Sequence, residues 1–112
     1  MAEISGFMKN YFIVFDRNGE LFTLIAKSNT SWKLFSGQND NLPEHLFISG
    51  LKERDRFSIG EDSVLLFEAN MNIPVKINAK YSTYLWCTKE SALSKLEEPE
   101  KAVLTEALSR IS

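Results

Sequence analysis

Side chains capable of nucleophilic catalysis are scarce in this sequence. It contains one cysteine, Cys87, and one histidine, His45, far apart in the chain. A catalytic thiol needs a base beside it, and a zinc site needs more Cys or His ligands than these two residues supply. We therefore predict no catalytic residues and no metal site, with Cys87 a small buried residue and His45 exposed or capping a short helix.

Phosphate-binding and calcium-binding loops are also missing from the sequence pattern. The five glycines are scattered at positions 6, 19, 37, 50 and 60, so neither a G-x-G-x-x-G loop nor a P-loop is present. Asp16 and Gly19 are spaced too closely for a calcium-binding EF-hand loop. The acidic pairs at 61–62 and 97–98 are interpreted as solvated surface. These observations predict a protein that is not an enzyme and needs no cofactor.

The most informative constellation is a predicted hairpin near the end of the chain. If residues 74–79 pair with residues 83–88, Asn78 lies beside Tyr84 and Lys76 lies beside Trp86 on one face. Large amphipathic aromatic side chains are enriched in protein interfaces, so we predict that Lys76, Asn78, Tyr84 and Trp86 bind a partner. Two alternatives remain: a C-terminal helix covers Tyr84 and Trp86 as a second core, or the rings stack on single-stranded nucleic acid.

The element that must organise the rest is a hairpin around Asn18-Gly19, which lies between two runs of β-branched and aromatic residues. With these two residues as the loop, Phe15 is opposite Phe22 and Ile13 is opposite Leu24. The other face of the hairpin is too apolar for a solvated surface. We therefore expect part of this face to be covered, and a second copy of the protein is one possible cover.

Further short strands are predicted around residues 31–35, 56–59 and 64–69, for about seven strands in total. Pro43 suits the start of a short middle helix that ends near residue 49. Residues 91–97 favour a helical turn or two, and an amphipathic helix follows Pro99. The fold class is therefore α+β, with a mostly antiparallel β-sheet or small barrel. The order of elements resembles that of a pleckstrin-homology-like barrel.

Length, composition and charge set the remaining limits. The chain has 112 residues, of which 44% are hydrophobic, and this is typical of one soluble domain spanning residues 1–112. A formal net charge of −2 argues against nucleic acid as the main partner. A single cysteine and the absence of a signal or membrane-spanning pattern predict a cytoplasmic protein that does not bind membranes.

The predicted function is a non-enzymatic protein-interaction module. It would act as a small regulator, inhibitor or adaptor on another protein, or as a homodimer, through its aromatic sheet surface or its terminal helix. One alternative is a β-barrel that binds a small molecule or lipid. Another is a modulator of host machinery encoded by a phage or mobile element.

Overall fold

The structure is a computed structural model that describes residues 9–38, 42 and 46–111. The described part of the chain contains nine strands and two helices in the following order: β1 (Asn10–Asp16), β2 (Phe22–Ser28), β3 (Ser31–Lys33), β4 (Phe35–Gly37), β5 (Leu46–Phe47), β6 (Lys52–Ile59), β7 (Asp62–Glu68), β8 (Lys76–Ile77), β9 (Thr83–Thr88), α1 (Lys89–Lys95) and α2 (Glu100–Ile111).

A seven-stranded mixed sheet forms the centre of the fold. Its main path runs β3-β2-β1-β7-β6, while β4 also pairs with β1 and β9 also pairs with β2. The β1–β7 pair is parallel, whereas the other pairs in this sheet are antiparallel. The broad α+β prediction is confirmed. The small barrel and the pleckstrin-homology-like outline are not confirmed.

The first hairpin forms as predicted, but its register differs by one residue. Asp16, rather than Phe15, is opposite Phe22, so five residues connect β1 and β2. The Asp16 carboxylate explains the longer turn, because its Oδ1 accepts a hydrogen bond of 2.8 Å from the Asn18 backbone N–H. A shift of one residue exchanges the face on which each β2 side chain lies.

Strand β1 is buried on both faces. Its residues Tyr11, Ile13 and Phe15 belong to a core cluster that includes α1 and α2, and this side of the sheet is called the helix face. The alternate residues Phe12 and Val14 belong to a second cluster on the other side of the sheet, which is called the loop face. This cluster is covered by Leu42 and by residues from 46–51 and 69–81. The expected cover over the second face of the hairpin is therefore present.

The predicted hairpin between residues 74–79 and 83–88 is wrong. Strand β8 pairs with β5 in a separate two-stranded sheet, and β9 pairs antiparallel with β2. Lys27 on β2 accepts a 2.8 Å hydrogen bond at its carbonyl from the Ser82 N–H, which begins this pairing. Strand β2 pairs with β9 at six positions, and the short strand β8 could offer β9 far fewer.

Both helices near the C-terminus lie where the sequence predicts them. Thr88 caps α1 by accepting a hydrogen bond from the Ser91 N–H at its side-chain oxygen, and α2 buries Val103, Leu104, Ala107 and Leu108 against the helix face. The predicted middle helix is not present over Leu46 and Phe47, which form β5, and its first residues, 43–45, lie outside the described residues. Neither helix in the described ranges has the length and apolar character needed to cross a membrane.

Candidate functional site

A cleft of about 100 Å³ opens where the start of β1, strand β3 and the beginning of α2 meet. We call it the β1–β3–α2 cleft; it is lined by Lys9, Tyr11, Ser31, Trp32, Lys33, Glu97, Glu98, Pro99 and Glu100. These residues combine two ammonium groups, two aromatic rings and three carboxylates. Side chains of these types can bind a ligand that is charged and partly flat.

Strand pairing fixes the backbone on both sides of the cleft. Lys9 donates its backbone N–H to the Asp62 carboxylate at 3.0 Å, and its carbonyl accepts from the Ser63 N–H at 2.9 Å. Across the cleft, Trp32 and Lys33 lie on β3, which is held by pairing with β2. The sheet therefore holds the backbone of both lysines, Lys9 just before β1 and Lys33 at the end of β3.

The aromatic rings of the cleft are each accompanied by a cation. The Lys9 ammonium lies 5.5 Å from the centre of the Tyr11 ring, and the Lys27 ammonium lies 5.7 Å from the centre of the Trp32 ring. Tyr11 is buried, whereas Trp32 is half-buried and contacts the core from its edge. The Trp32 ring therefore combines a fixed position with access to a ligand.

Glu100 is the most unusual residue of the cleft. It begins α2, yet only 9% of its surface is exposed, although a glutamate is rarely buried to this extent. Burial raises the pKa of its carboxyl group, and the charge of Glu97 raises the pKa further. The ammonium of Lys33, a hydrogen bond with the Leu34 backbone and the ammonium of Lys9 oppose this increase in pKa.

The hydroxyl group of Tyr11 lies in the same electrostatic environment as the Glu100 carboxylate. Burial raises the pKa of its hydroxyl group, and the negative charges of Asp62 and Glu100 raise it further. Its phenol thus stays protonated and able to donate a hydrogen bond. One carboxylate of the cleft, that of Glu100, is therefore buried, whereas the other two glutamates and both lysines are exposed.

No group of three or more His, Cys, Asp or Glu side chains is arranged to bind a metal ion within the described ranges. This holds even though three glutamates line the cleft. The Glu98 carboxylate accepts a 3.2 Å hydrogen bond from the Ala102 N–H of the first turn of α2, so part of its binding capacity is already used.

A wider groove of about 390 Å³ lies along the outer side of α1 and α2. It is lined by Leu93, Glu98, Lys101, Ala102, Thr105 and Glu106. It has no aromatic ring and no buried carboxylate. We therefore select the smaller β1–β3–α2 cleft as the candidate site.

The four predicted partner-binding residues are separated by the observed pairing. Lys76 lies on β8 and Asn78 in the turn after it, whereas Tyr84 and Trp86 lie on β9. Trp86 packs against the loop-face cluster rather than under the terminal helix, and Tyr84 is 36% exposed. The continuous face expected from a 74–88 hairpin does not form, because β8 and β9 belong to different sheets. Partner binding by these residues stays a prediction.

Cys87 lies on β9 and is buried in the helix-face cluster. Burial raises the pKa of its thiol, outweighing the opposing effects of a Ser91 hydrogen bond and the Lys95 charge, and this keeps the sulfur protonated. His45 lies outside the described residues.

Sequence reasoning missed the cleft itself. Glu97 and Glu98 are exposed, as predicted, but no part in a site was predicted for them. Glu100 was predicted only to suit the N-terminal end of α2, and Lys9 and Lys33 were assigned no role. The only local signal is the Glu-Glu-Pro-Glu run at 97–100, which places a carboxylate directly at the start of an amphipathic helix.

Comparison by sequence gives no match, either with a family model or with a curated protein. Comparison of the fold with solved structures gives many matches. A protein assigned as a Nudix hydrolase from Listeria monocytogenes has a TM-score of 0.75, with 14% identity over 93% of each chain. The Caenorhabditis elegans Ap4A hydrolase, solved as a binary complex, has a TM-score of 0.65, with 14% identity over 92% of this chain and 96% of that one.

A third match is the Nudix domain of Shewanella oneidensis NrtR, solved in complex with ADP ribose. Its TM-score is 0.60, with 15% identity over 94% of this chain and 88% of that one. The fold neighbours are thus predominantly hydrolases, and this finding contradicts our predictions of a non-enzymatic regulator, inhibitor or adaptor and of a protein that is not an enzyme. Those predictions depended on the absence of catalytic sequence motifs, and that absence did not reveal the fold. The described chain has the fold of the Nudix hydrolases.

Proposed function

We propose that this protein is a hydrolase that cleaves a phosphate anhydride bond in a nucleotide-type compound, and that the β1–β3–α2 cleft binds the substrate. The observation that carries the proposal is a TM-score of 0.75 to a Nudix hydrolase over 93% of each chain. Fold neighbours named for Ap4A and bound to ADP ribose indicate the substrate class, since both compounds contain phosphate anhydride bonds.

The cations and the aromatic ring of the cleft support this assignment. Lys9 and Lys33 offer two ammonium groups at the opening of the cleft, and ammonium groups form strong charge-assisted hydrogen bonds with phosphate oxygens. The half-buried Trp32 ring offers a face on which a nucleobase could stack. A cleft of about 100 Å³ holds only part of a nucleotide, so the remainder would lie across the surface beside β3.

The proposed reaction is the attack of water on a phosphorus atom. One P–O bond of the anhydride breaks, two phosphate products leave, and one proton is released. Lys9 and Lys33 would stabilise the negative charge that develops on the phosphate oxygens. Glu97, exposed at the edge of the cleft, would accept the proton of the attacking water.

Magnesium bound to a phosphate substrate typically needs only one or two protein carboxylates. Glu98 could supply one of them, and the ion would neutralise part of the phosphate charge. The assay should therefore be run both with and without Mg²⁺.

The test is to incubate the purified protein with ADP ribose and with Ap4A and to separate the products by chromatography. We expect product release that falls about 10-fold or more in Lys33→Met, because one phosphate-binding charge is lost. Lys52→Met is the matched control, since Lys52 is an exposed lysine on β6 that does not line the cleft. Binding of these compounds without product would support the proposed site and exclude the proposed reaction. The absence of both binding and product would exclude the site and the reaction.

A further inference from the structure

The central sheet has two long edge strands, β6 and β9. Among the described residues, β6 pairs only with β7. Strand β9 pairs only with β2, on the side of β2 that faces away from β1 and β3, because Leu24 is paired with both β1 and β9. An edge strand presents backbone N–H and C=O groups that can pair with a strand of another chain, and proteins commonly prevent this with charged side chains, proline or a β-bulge.

Strand β6 is protected against such pairing. Five of its eight residues are charged, and they form the exposed run 52–56. A β-bulge also interrupts its register between Glu53 and Asp55. A strand added to this edge would meet ammonium, guanidinium and carboxylate groups along most of its length.

Strand β9 has none of these protections. Its sequence, Thr83-Tyr-Leu-Trp-Cys-Thr88, contains no charged residue and no proline, and it pairs with β2 through six successive positions. Residues 82–85 are all exposed. Tyr84 at 36% and Leu85 at 39% are two of the three large hydrophobic residues exposed in the described part of the chain. This edge is therefore regular, uncharged and partly apolar, as strand addition requires.

The pairing with β2 shows on which face of the sheet each β9 side chain lies. Leu85 is opposite Ile25, which belongs to the helix-face cluster. Trp86 is opposite Leu24, which belongs to the loop-face cluster. Tyr84, two residues before Trp86, shares the loop face. The edge thus offers one exposed aliphatic side chain on the helix face and two aromatic rings on the loop face.

This sequence is complementary to itself when two copies run antiparallel. A two-fold axis perpendicular to the sheet keeps every side chain on its own face, so a residue can lie opposite only a residue of that face. With the axis at Leu85, Leu85 is opposite Leu85 of the second copy, and Tyr84 is opposite Trp86 of the second copy. Both pairs match apolar or aromatic side chains, and cross-strand pairs of this kind stabilise antiparallel strands.

The charges that flank β9 do not oppose this arrangement. Lys80 precedes the strand, and Lys89 and Glu90 follow it. In an antiparallel pair, the Lys80 end of one copy lies beside the Lys89-Glu90 end of the other copy. Because Lys89 and Glu90 together carry no net charge, the second copy meets no excess of like charge at either end.

We propose that β9 is the interface of a homodimer, in which the β9 strands of two copies pair antiparallel about Leu85 and join the two central sheets. This inference goes beyond the proposed function and does not rest on it, since no β9 residue lines the β1–β3–α2 cleft. It gives two of the residues predicted to bind a partner, Tyr84 and Trp86, a definite role as cross-strand contacts between copies.

The first experiment is light scattering of the full chain after size-exclusion chromatography, over a series of concentrations. One strand per copy is a small interface, so the mass should rise with concentration toward twice the 12.8 kDa of one chain. Leu85→Lys should raise the dissociation constant of the dimer about tenfold or more, because it places two ammonium groups directly opposite each other. Phe47→Lys is the matched control, since Phe47 is exposed but lies on β5, and it should dimerise like the unchanged protein.

The second experiment tests the register and serves even if Leu85→Lys does not fold. Residues directly opposite each other in an antiparallel pair have Cα atoms about 4.5–5.5 Å apart, which is within the range that a disulfide spans. Leu85→Cys should therefore form a covalent dimer under mild oxidation, and Phe47→Cys should not. Cys87 is present in both variants and is buried.

Three results would overturn the proposal. The first is a single-chain mass of the unchanged protein throughout the concentration series, which would leave the β9 edge to a strand of a different protein. The second is a dimer that Leu85→Lys does not weaken, or that Phe47→Lys weakens equally. The third is disulfide formation in Leu85→Cys that is no faster than in Phe47→Cys.

Discussion

The two faces of strand β1 are equally buried, but they are covered in different ways. On the helix face, Tyr11, Ile13 and Phe15 pack under two regular helices that contribute Ala92, Leu104 and other apolar residues. On the loop face, Phe12 and Val14 pack under short strands and turns. One strand thus joins a core closed by regular elements to a core closed by irregular ones.

This difference determines where chemistry and exposed apolar surface occur. The helices bring a carboxylate, Glu100, to the edge of the sheet and create the β1–β3–α2 cleft. The irregular cover leaves one large side chain, Phe47, 60% exposed beside the buried Leu46. The regular cover therefore places a charged site at a defined position, whereas the irregular cover carries an exposed aromatic ring.

The comparison is tested most strongly by removing one large side chain from each core. Leu104→Ala on the helix face should lower the free energy of unfolding by about 2–5 kcal/mol, because packed helices cannot collapse into the cavity. Leu46→Ala on the loop face should cost only about 2 kcal/mol, because short strands relax more easily. Urea unfolding followed by tryptophan fluorescence measures both losses. Equal losses would show that the two covers are equally rigid.

The next largest effect concerns Asp16, which joins the first hairpin to the loop-face cover. Its buried carboxylate accepts hydrogen bonds from the Asn18 N–H at 2.8 Å and the Met71 N–H at 2.7 Å. Asp16→Ala should lower the free energy of unfolding by about 2–3 kcal/mol, since both donors lose a charged acceptor. Asp16→Asn retains one acceptor oxygen and should lose less. A smaller loss for Ala than for Asn would contradict this account.

A third prediction concerns the pH dependence of stability at the helix-face site. Because burial raises the pKa of Glu100 above its ordinary value of 4.5, its stabilising contribution is fully present below that value and is lost as pH rises through the raised pKa. Glu100→Gln should remove this loss. Between about pH 4 and pH 8, the free energy of unfolding measured with urea should therefore decline less in Glu100→Gln than in the unchanged protein. In Glu106→Gln, which changes an exposed glutamate of the same helix, the free energy of unfolding should decline as it does in the unchanged protein. The same decline in Glu100→Gln would exclude a contribution of Glu100 to the pH dependence.

The smallest effect is expected at the exposed edge of the loop face. Phe47→Ser should change the free energy of unfolding by no more than about 0.5 kcal/mol, because the ring is mostly in water. Thermal unfolding of Phe47→Ser and of Leu46→Ala, measured side by side, compares two neighbouring residues of one strand. A loss as large as that of Leu46→Ala would show that the Phe47 ring contributes to the core.

Local patterns in the sequence predicted much of the fold. The Asn18-Gly19 hairpin, the amphipathic helix after Pro99 and the α+β class depend on turn chemistry and periodicity over a few neighbouring residues. The one-residue error in register has a local cause as well, because the Asp16 side chain lengthens the turn. The prediction of a middle helix was wrong at Leu46 and Phe47, because these two residues form a strand that pairs with β8, which lies far along the chain.

The sequence alone therefore determined the elements whose hydrogen bonds and apolar stripes lie within one segment: the first hairpin and the C-terminal helix. Tertiary structure alone decided that β9 joins β2, that β1 and β7 run parallel, and that Lys9, Lys33 and Glu100 share one cleft. The physical reason is that periodicity encodes which side of an element is buried, but not which distant element covers it. Residues from opposite ends of the chain meet only after the sheet order and the packing of α2 are fixed.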